Sequence, residues 1–389
     1  MKIFVNGYWA LNLGDDLFLK ILCERYPNIK FETNIKEKYS KPFNNISNLK
    51  MNYLPDDRNL PIRYIKKISI FLKSVFRLKN SFSILTFKKI IMVKNSIDAY
   101  VEIGGSIFMM GLGENVKKSL RFQQRMRIEQ KVKNYFVIGS NFGPFYNKNQ
   151  INDYSIFFSK VNDICFRDKY SKDLFPTLDN VRFEADVILS LDVSNYDISR
   201  SEYILISIID LEIKNDNGLN ISKESIELYR NKMIEIVEYY IIKGKKVVLF
   251  SFCDFQGDRL ISECILETLM RDNFRNVEVY SHQSIEESLK VFSEAEKVIA
   301  TRFHAMILGW IFKKPTLSIP YSEKTINVIN SSAPNQSYVR YVDINSINTK
   351  EIESLFTTID SNTLYDLKES SIRQFQSLDN FINGEFRNV

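Results

Sequence analysis

The sequence predicts an α/β fold built from two successive domains. Short apolar runs typical of buried strands recur along the chain, for example at residues 2–6 and 203–209, and helical stretches separate them. Such alternation is typical of parallel sheets covered by helices. With 389 residues, the chain is also too long for one ordinary hydrophobic core.

A polar stretch at residues 190–201 sets the predicted domain boundary, because it is short of apolar side chains and is typical of a linker. We therefore predict a first domain at residues 1–190 and a second domain at residues 202–345. Residues 346–389 are polar with helical character, and we expect this segment to pack back onto the first domain.

The chain opens on a strand at residues 2–6, a glycine-containing loop and an amphipathic helix that Pro27 ends. Asp15 and Asp16 lie in the first turn of this helix, where acidic side chains interact favourably with the helix dipole. This unit indicates a Rossmann-like domain, although the dinucleotide fingerprint G-x-G-x-x-G is absent. A turn glycine and a capping aspartate are the structural alternative to a functional site here.

Residues suited to ligand contact follow two further strands of the first half. The strand at residues 97–103 leads into Gly104 and Gly105, where backbone can approach a ligand closely. The strand at residues 161–166 leads into Arg167, which is either an anion-binding residue or one member of a surface ion pair of little energetic weight.

The remaining predicted elements continue the alternation through both halves. They are a charged helix at 117–133, a strand at 134–139, a helix at 221–242, a strand at 246–250, a helix that begins at 256–258, a strand at 277–280 and a helix at 284–295.

The stretch at residues 297–324 reads as strand, turn, helix, loop and strand. Arg302 and His304 fall where the strand ends and the helix begins, and open α/β sheets bind ligands in that crevice. A helix amino terminus attracts anions, and the Arg302 guanidinium suits carboxylate or phosphate. His304 is the side-chain type that titrates near neutral pH. The alternative for His304 is a simple helix cap.

Composition narrows the class of protein. A formal net charge of +6 fits anionic small substrates or a membrane surface better than nucleic acid, and no nucleic-acid-binding signature is present. The four cysteines are scattered without a C-x-x-C pair, and we interpret them as reduced core thiols of a cytoplasmic protein. Only two histidines and no metal-spaced acids occur, so we expect no metal site.

A basic segment lies between Asp57 and Asp98, with lysines and arginines at residues 58–94 interleaved with apolar side chains. A basic amphipathic helix of this kind can lie on an anionic membrane face, which would make the protein peripheral at the inner face of the membrane. The alternative is a surface helix that packs on its domain with solvated lysines. No leader peptide and no membrane span are expected from the sequence.

Several of these motifs resemble the polysaccharide pyruvyl transferase family. Residues 301–307 resemble its S-R-x-H-A-x-I segment, with Thr301 in the serine position, and residues 321–324 resemble its Y-x-x-K. Residues 12–16 resemble N-x-G-D-[ED], and residues 167–174 match R-D-x-x-S-x-x-L. Residues 140–145 match G-x-S-x-G-P only in part, and Ser106 stands where the family usually has a third glycine.

The resemblance implies a GT-B-like pair of Rossmann-like domains facing a cleft. It also implies transfer of a pyruvyl group from phosphoenolpyruvate to two hydroxyls of a nucleotide- or lipid-linked sugar, which forms a cyclic ketal in cell-surface polysaccharide synthesis. No cofactor is expected. The implied donor-binding residues are Arg167, Arg302, His304 and Lys324; the implied acceptor-binding residues are Asn12, Gly14, Asp15, Gly104 and Gly105.

The chemistry requires a general acid and a base, and His304, Arg302 and Asp16 are the predicted catalytic residues. The residues themselves do not choose between Asp15 and Asp16 as the base. Two alternatives stay open: a GT-B glycosyltransferase that uses a nucleotide sugar, and a non-catalytic binding protein that has kept the fold.

Overall fold

Two parallel sheets form the framework of the protein. The computed structural model describes residues 1–54, 97–111, 113–199, 201–214, 221–272 and 274–385. The first sheet has seven strands in the order β3-β2-β1-β4-β5-β6-β7, and the second has five in the order β10-β9-β8-β11-β12. Every strand pair in both sheets is parallel, for example β1 with β4 and β8 with β11.

The first sheet and its helices occupy the amino-terminal half. Its elements are β1 (Lys2–Asn6), α1 (Leu13–Arg25), β2 (Lys30–Lys36), β3 (Leu49–Leu54), β4 (Ala99–Ile103), α2 (Leu120–Glu129), β5 (Tyr135–Ser140), α3 (Lys148–Phe158), β6 (Asp163–Phe166), α4 (Lys169–Asp173) and β7 (Val181–Phe183). Most core strands are buried along their whole length, as apolar runs in parallel sheets require.

The second sheet and its helices follow the predicted linker. Its elements are β8 (Tyr203–Ser207), α5 (Leu211–Lys214), α6 (Lys223–Ile242), β9 (Val247–Ser251), α7 (Asp258–Arg271), β10 (Val277–Ser281), α8 (Ile285–Ser293), β11 (Ala295–Ala300), α9 (Phe303–Ile311), β12 (Thr316–Ser318) and α10 (Glu323–Ser332). Helices α11 (Ser361–Arg373) and α12 (Gln376–Ile382) close the described chain.

The charged helix predicted at residues 117–133 is shorter than expected. A 3-10 turn at Val116–Lys118 precedes α2, and the Ser119 side chain accepts a hydrogen bond of 3.2 Å from the Phe122 backbone N–H. Serine is a preferred N-cap residue, so the helix begins at Leu120, three residues after the predicted start at residue 117.

Helix α1 joins the two halves. Its side chains Leu17 and Phe18 belong to one hydrophobic cluster that also contains Phe252 from beyond β9 and Met306 from α9. The backbone N–H of Leu13 donates to the Phe252 carbonyl at 3.2 Å. The two sheets therefore share one buried core across their interface.

The carboxyl-terminal helices pack on the first sheet. Gln374 is fully buried: its Oε1 accepts from the Gly139 N–H at 2.9 Å, and its Nε2 donates to the carbonyls of Glu184 and Ala185 at 2.8 and 3.0 Å. On α12, Asp379 accepts two bonds from the Arg25 guanidinium at 3.1 and 2.7 Å. These contacts fix the last two helices to the amino-terminal half.

One cysteine prediction is wrong. Cys23, Cys165 and Cys253 are buried, but Cys264 is exposed because it lies on the solvent side of the amphipathic helix α7. The predicted basic helix at 58–94 lies outside the described residues. No helix among the described residues is long and apolar enough to cross a membrane.

Replacing Gln374 with alanine is expected to lower the free energy of unfolding by about 2–3 kcal/mol, because buried backbone groups lose their hydrogen-bond partner. Chemical denaturation measures this difference. Gln376→Ala, two residues on and exposed, is the matched control and should change stability little. Equal stability of the two variants would contradict the role assigned to Gln374.

Candidate functional site

A large cavity lies where the carboxyl ends of strands from both sheets face each other. Its volume is about 1960 Å³, and its wall includes loops that follow β1, β4, β5 and β6 of the first sheet. The opposite wall comes from the segments that follow β8, β9, β11 and β12. Ligands of open α/β folds bind at this edge of the sheet.

Arg167 is the central cation of the first-sheet wall. It is 3 % exposed, and its Nη1 donates to Asp186 Oδ2 at 2.9 Å while its Nη2 donates to Asn141 Oδ1 at 2.9 Å. The guanidinium carbon lies 4.4 Å from the centre of the Phe303 ring. The carboxylate of Asp186 neutralises the arginine, and these contacts hold the side chain in one orientation at the cavity wall.

His304 belongs to the second domain and contacts Arg167 of the first domain. Its Nε2 lies 3.1 Å from Arg167 Nη1 and 3.8 Å from Asp186 Oδ2. Burial lowers the pKa of His304, and the neighbouring Asp186 offsets this only in part. Since the arginine can only donate, Nε2 acts as an acceptor and the imidazole is neutral in this arrangement.

Arg302 is held by a second acidic partner. Its Nε donates to Asp258 Oδ2 at 2.9 Å, its Nη2 forms a short contact with Asp258 Oδ1, and its Nη1 donates to Gln256 Oε1 at 2.6 Å. Three of the five guanidinium N–H groups are thereby used, and the side chain still borders the cavity. Arg167 and Arg302 thus each face the cavity with a buried aspartate behind them.

Lys324 joins the Arg167 network through neutral groups. Its Nζ donates to Ser106 Oγ at 3.1 Å, and Ser106 Oγ donates to Asn141 Oδ1 at 3.1 Å. Burial, and after it the charge of Arg167, lowers the pKa of Lys324 to about 7. Ser106, which departs from the glycine of the family motif, is therefore the residue that positions this lysine.

Two of the predicted glycines make room for the charged side chains. A Cβ atom on Gly14 would lie 1.7 Å from His304 Nδ1, and one on Gly105 would lie 2.4 Å from Arg167 Nη2. Gly105 borders the cavity, whereas Gly104 does not. The φ of Gly104, +138°, lies in the region that favours glycine. Asn12 caps α1 by accepting from the Gly14 N–H at 3.3 Å, and it also lines the cavity.

The structure separates the two adjacent aspartates of α1. Asp15 lines the cavity, and burial raises its pKa to about 7 against the opposing charges of Arg167 and Lys324. Asp16 is fully buried behind the cavity wall, where its Oδ2 lies 3.0 Å from His282 Nε2. The geometry therefore puts Asp15, and not Asp16, within reach of a bound ligand.

The Asp16–His282 contact is a neutral buried pair. Burial raises the pKa of Asp16 and lowers the pKa of His282 to about 4. The carboxyl proton of Asp16 then donates to His282 Nε2, and His282 Nδ1 donates to Ser288 Oγ at 2.8 Å. Both histidines of the chain belong to the second domain and lie against the first turn of α1. His282 contacts Asp16, and His304 lies against Gly14.

Several site residues received no functional role in the sequence prediction. Among them are Asn141, Asp258, Gln256, Lys214 and Asp186, which lie beyond the strands β5, β9, β9, β8 and β7 respectively. Their position in the segments that follow buried parallel strands was the available signal, because those strand ends meet at one edge. Among the described residues, no group of His, Cys, Asp and Glu side chains is arranged to hold a metal ion.

Residues 12–323 match the sequence profile of a family described as "Polysaccharide pyruvyl transferase". This match spans most of the 389 residues and includes every predicted site residue except Lys324, which lies one residue beyond it. The chain belongs to this family. The resemblance that the sequence motifs predicted is confirmed.

A curated relative supports the family assignment. The chain is similar to the "Amylovoran biosynthesis protein AmsJ" of Erwinia amylovora, with 24% identity over 254 residues and 60% of this chain covered. The chain spans 59% of the length of that relative.

Solved structures share the fold. UDP-N-acetylglucosamine 2-epimerase from Rickettsia bellii superposes with a TM-score of 0.59, at 10% identity, over 98% of this chain and 96% of its own. Anabaena Alr3699/HepE, solved with UDP and glucose, has a TM-score of 0.56 at 10% identity, over 99% and 100% of the two chains. The predicted GT-B-like arrangement of two Rossmann-like domains facing a cleft is confirmed.

The two histidines offer a direct test of the site electrostatics. In an NMR titration of the folded protein, we expect His282 to titrate near pH 4 and His304 below the ordinary histidine range, because burial disfavours both imidazolium forms. His282→Gln assigns the two resonances. A titration of His304 at or above the ordinary value of about 6.5 would contradict the neutral imidazole described above.

Proposed function

We propose that the protein transfers a pyruvyl group from phosphoenolpyruvate to two hydroxyls of a sugar, forming a cyclic ketal in cell-surface polysaccharide biosynthesis. The observation that carries this proposal is the convergence of Arg167, Arg302 and Lys324 around His304 in one inter-domain cavity. Family membership and the similarity to an amylovoran biosynthesis protein support the reaction class and the polysaccharide context.

The cations account for donor binding. Phosphoenolpyruvate carries a phosphate and a carboxylate, so it needs more than one cationic partner. Arg167 approaches from the first domain, whereas Arg302 and Lys324 approach from the second, and Lys324 reaches across to Ser106. Because the arginines are held by Asp186 and Asp258, their orientation is set before the donor arrives, which lowers the entropic cost of binding.

His304 is the proposed general acid. A bound donor dianion stabilises the imidazolium form and so raises the pKa of His304 from its depressed value. The protonated ring can then deliver a proton to the methylene carbon of the donor, which leaves an oxocarbenium-like centre at the adjacent carbon. Before the donor binds, Arg167 Nη1, 3.1 Å from Nε2, holds the neutral ring at the cavity wall.

Asp15 is the proposed base. Its raised pKa places it near neutrality, where a base both ionises and accepts protons efficiently. Two acceptor hydroxyls form bonds to the central carbon, and the carbon–oxygen bond to phosphate breaks. Of the two hydroxyl protons released, one replaces the proton that His304 gave to carbon, and the other leaves with inorganic phosphate.

The cavity has room for an extended acceptor beside the donor. Its volume of about 1960 Å³ exceeds the roughly 300–1,000 Å³ of an ordinary small-molecule pocket. A nucleotide- or lipid-linked sugar is the acceptor class that we propose.

A nucleotide-sugar glycosyltransferase is the second candidate, because the fold is shared with Alr3699/HepE, which was solved with UDP and glucose. The two reactions release different products. Inorganic phosphate released from phosphoenolpyruvate supports pyruvyl transfer, whereas a nucleotide released from a nucleotide sugar supports glycosyl transfer.

Phosphoenolpyruvate is expected to raise the melting temperature of the wild-type protein, because a ligand that binds only the native state stabilises it. Arg302→Lys should show a smaller rise, since lysine cannot reproduce the planar fork. Arg340→Lys is the matched control, because Arg340 borders the same cavity but pairs with the exposed Glu323. A rise with nucleotide sugars alone would favour the glycosyltransferase.

Asp15→Asn is expected to lower the transfer rate about 10²–10⁴-fold, because it removes the proposed base. Asp16→Asn should retain far more activity, since its amide can donate to His282 Nε2 as the protonated carboxyl does. Steady-state rates with saturating donor compare this isosteric pair. A larger loss in Asp16→Asn than in Asp15→Asn would reverse the assignment.

A further inference from the structure

The cavity contains a second lysine whose surroundings mirror those of Lys324. Lys214, at the end of α5, donates from Nζ to Gln256 Oε1 at 2.7 Å. The same oxygen accepts from Arg302 Nη1 at 2.6 Å. One neutral amide oxygen therefore holds two cationic side chains at the second-domain wall.

The two halves of the site have the same electrostatic plan. Each has an arginine paired with a buried aspartate, Arg167 with Asp186 and Arg302 with Asp258. Each also has a lysine bound through a neutral oxygen, Ser106 for one and Gln256 for the other. Within the described part of the chain, neither lysine makes an ion pair with a carboxylate at 4.0 Å or less.

Two cationic side chains that donate to one neutral oxygen favour an incoming anion. Burial, and after it the charge of Arg302, lowers the pKa of Lys214 to about 8. Lys214, Arg302 and Lys324 all line the same cavity, so the three cations face one shared space. The two arginines are paired with buried aspartates, whereas Lys214 and Lys324 each donate to a neutral oxygen.

We propose that Lys214, with Arg302 and Gln256, forms a second anion subsite that binds one of the two anionic groups of the donor. Lys324 and Arg167 bind the other group. This assignment rests on the proposed function, in which the donor is phosphoenolpyruvate with one phosphate and one carboxylate. It explains why one small donor meets cations from both domains.

A pH dependence follows from the groups that face Lys214. These groups are Arg302, Asp258, Asp210 and Cys253. Arg302 disfavours the charged form of Lys214 and lowers its pKa, whereas the other three groups favour the charged form and raise the pKa. A pKa of about 8 leaves Lys214 mostly charged at lower pH and mostly neutral at higher pH. The kcat/KM for phosphoenolpyruvate should therefore fall as pH rises through about 8 in the wild type.

Lys214→Met tests the subsite because it keeps the side-chain length and removes the charge. Calorimetry at pH 7 should show the Kd for phosphoenolpyruvate raised about tenfold or more, the loss expected for one charge-assisted hydrogen bond. The step in kcat/KM near pH 8 should disappear in this variant, while the step that Lys324 contributes near pH 7 should remain. Lys214→Arg should recover part of the affinity. Lys118→Met, at an exposed position of the same cavity, should leave the donor Kd nearly unchanged.

The outcomes separate the subsite from the proposed function. If phosphoenolpyruvate binds the wild type and Lys214→Met with the same Kd, the subsite is overturned while the donor assignment stands. An equal loss in Lys214→Met and Lys118→Met would show a general charge effect and would also overturn it. No binding of phosphoenolpyruvate to the wild type would overturn the proposed function and, with it, the donor role of Lys214.

Discussion

The contact between the first turn of α1 and the His304 ring sets how the two sheets meet. Glycine is the only residue type that fits at position 14, because any Cβ there would overlap an imidazole nitrogen of His304. Phe18, one turn on, packs its ring edge-to-face against His304 with centroids 5.8 Å apart. Through this contact the carboxyl edges of both sheets border one cavity, and a second-domain histidine reaches the first-domain Arg167.

Burying so many charges beside that contact has a cost that the structure offsets in two ways. Arg167 and Arg302 are each paired with a buried aspartate, so neither is an isolated buried charge. Asp16 and His282 avoid charge altogether by sharing one proton. Lys214 and Lys324, in contrast, donate to neutral oxygens, and their pKa values are lowered. Asp15 faces the same cavity with a raised pKa. The site is therefore electrostatically prepared for an anionic ligand.

The fold and the site carry different kinds of information. The same two-domain architecture serves a UDP-N-acetylglucosamine 2-epimerase and a protein solved with UDP and glucose, at about one residue identical in ten. Fold likeness at this level does not specify a reaction. The chemistry that we propose rests on the arrangement around His304, where a titratable ring, two fixed guanidinium groups and a carboxyl group line one cavity.

The sequence by itself determined the alternation of strands and helices and the placement of Arg167, Arg302 and His304 at strand ends. Local periodicity and the rule that parallel strands end at one edge were sufficient for that, since both depend on nearby residues. Only the tertiary structure showed that Asp15 lines the cavity while Asp16 is buried against the distant His282, because neighbouring residues on a helix point in different directions. It also decided the partners of each cation. Asp258, Gln256 and Asn141 lie 26 to 46 residues from the arginines they contact, a separation that no local pattern encodes.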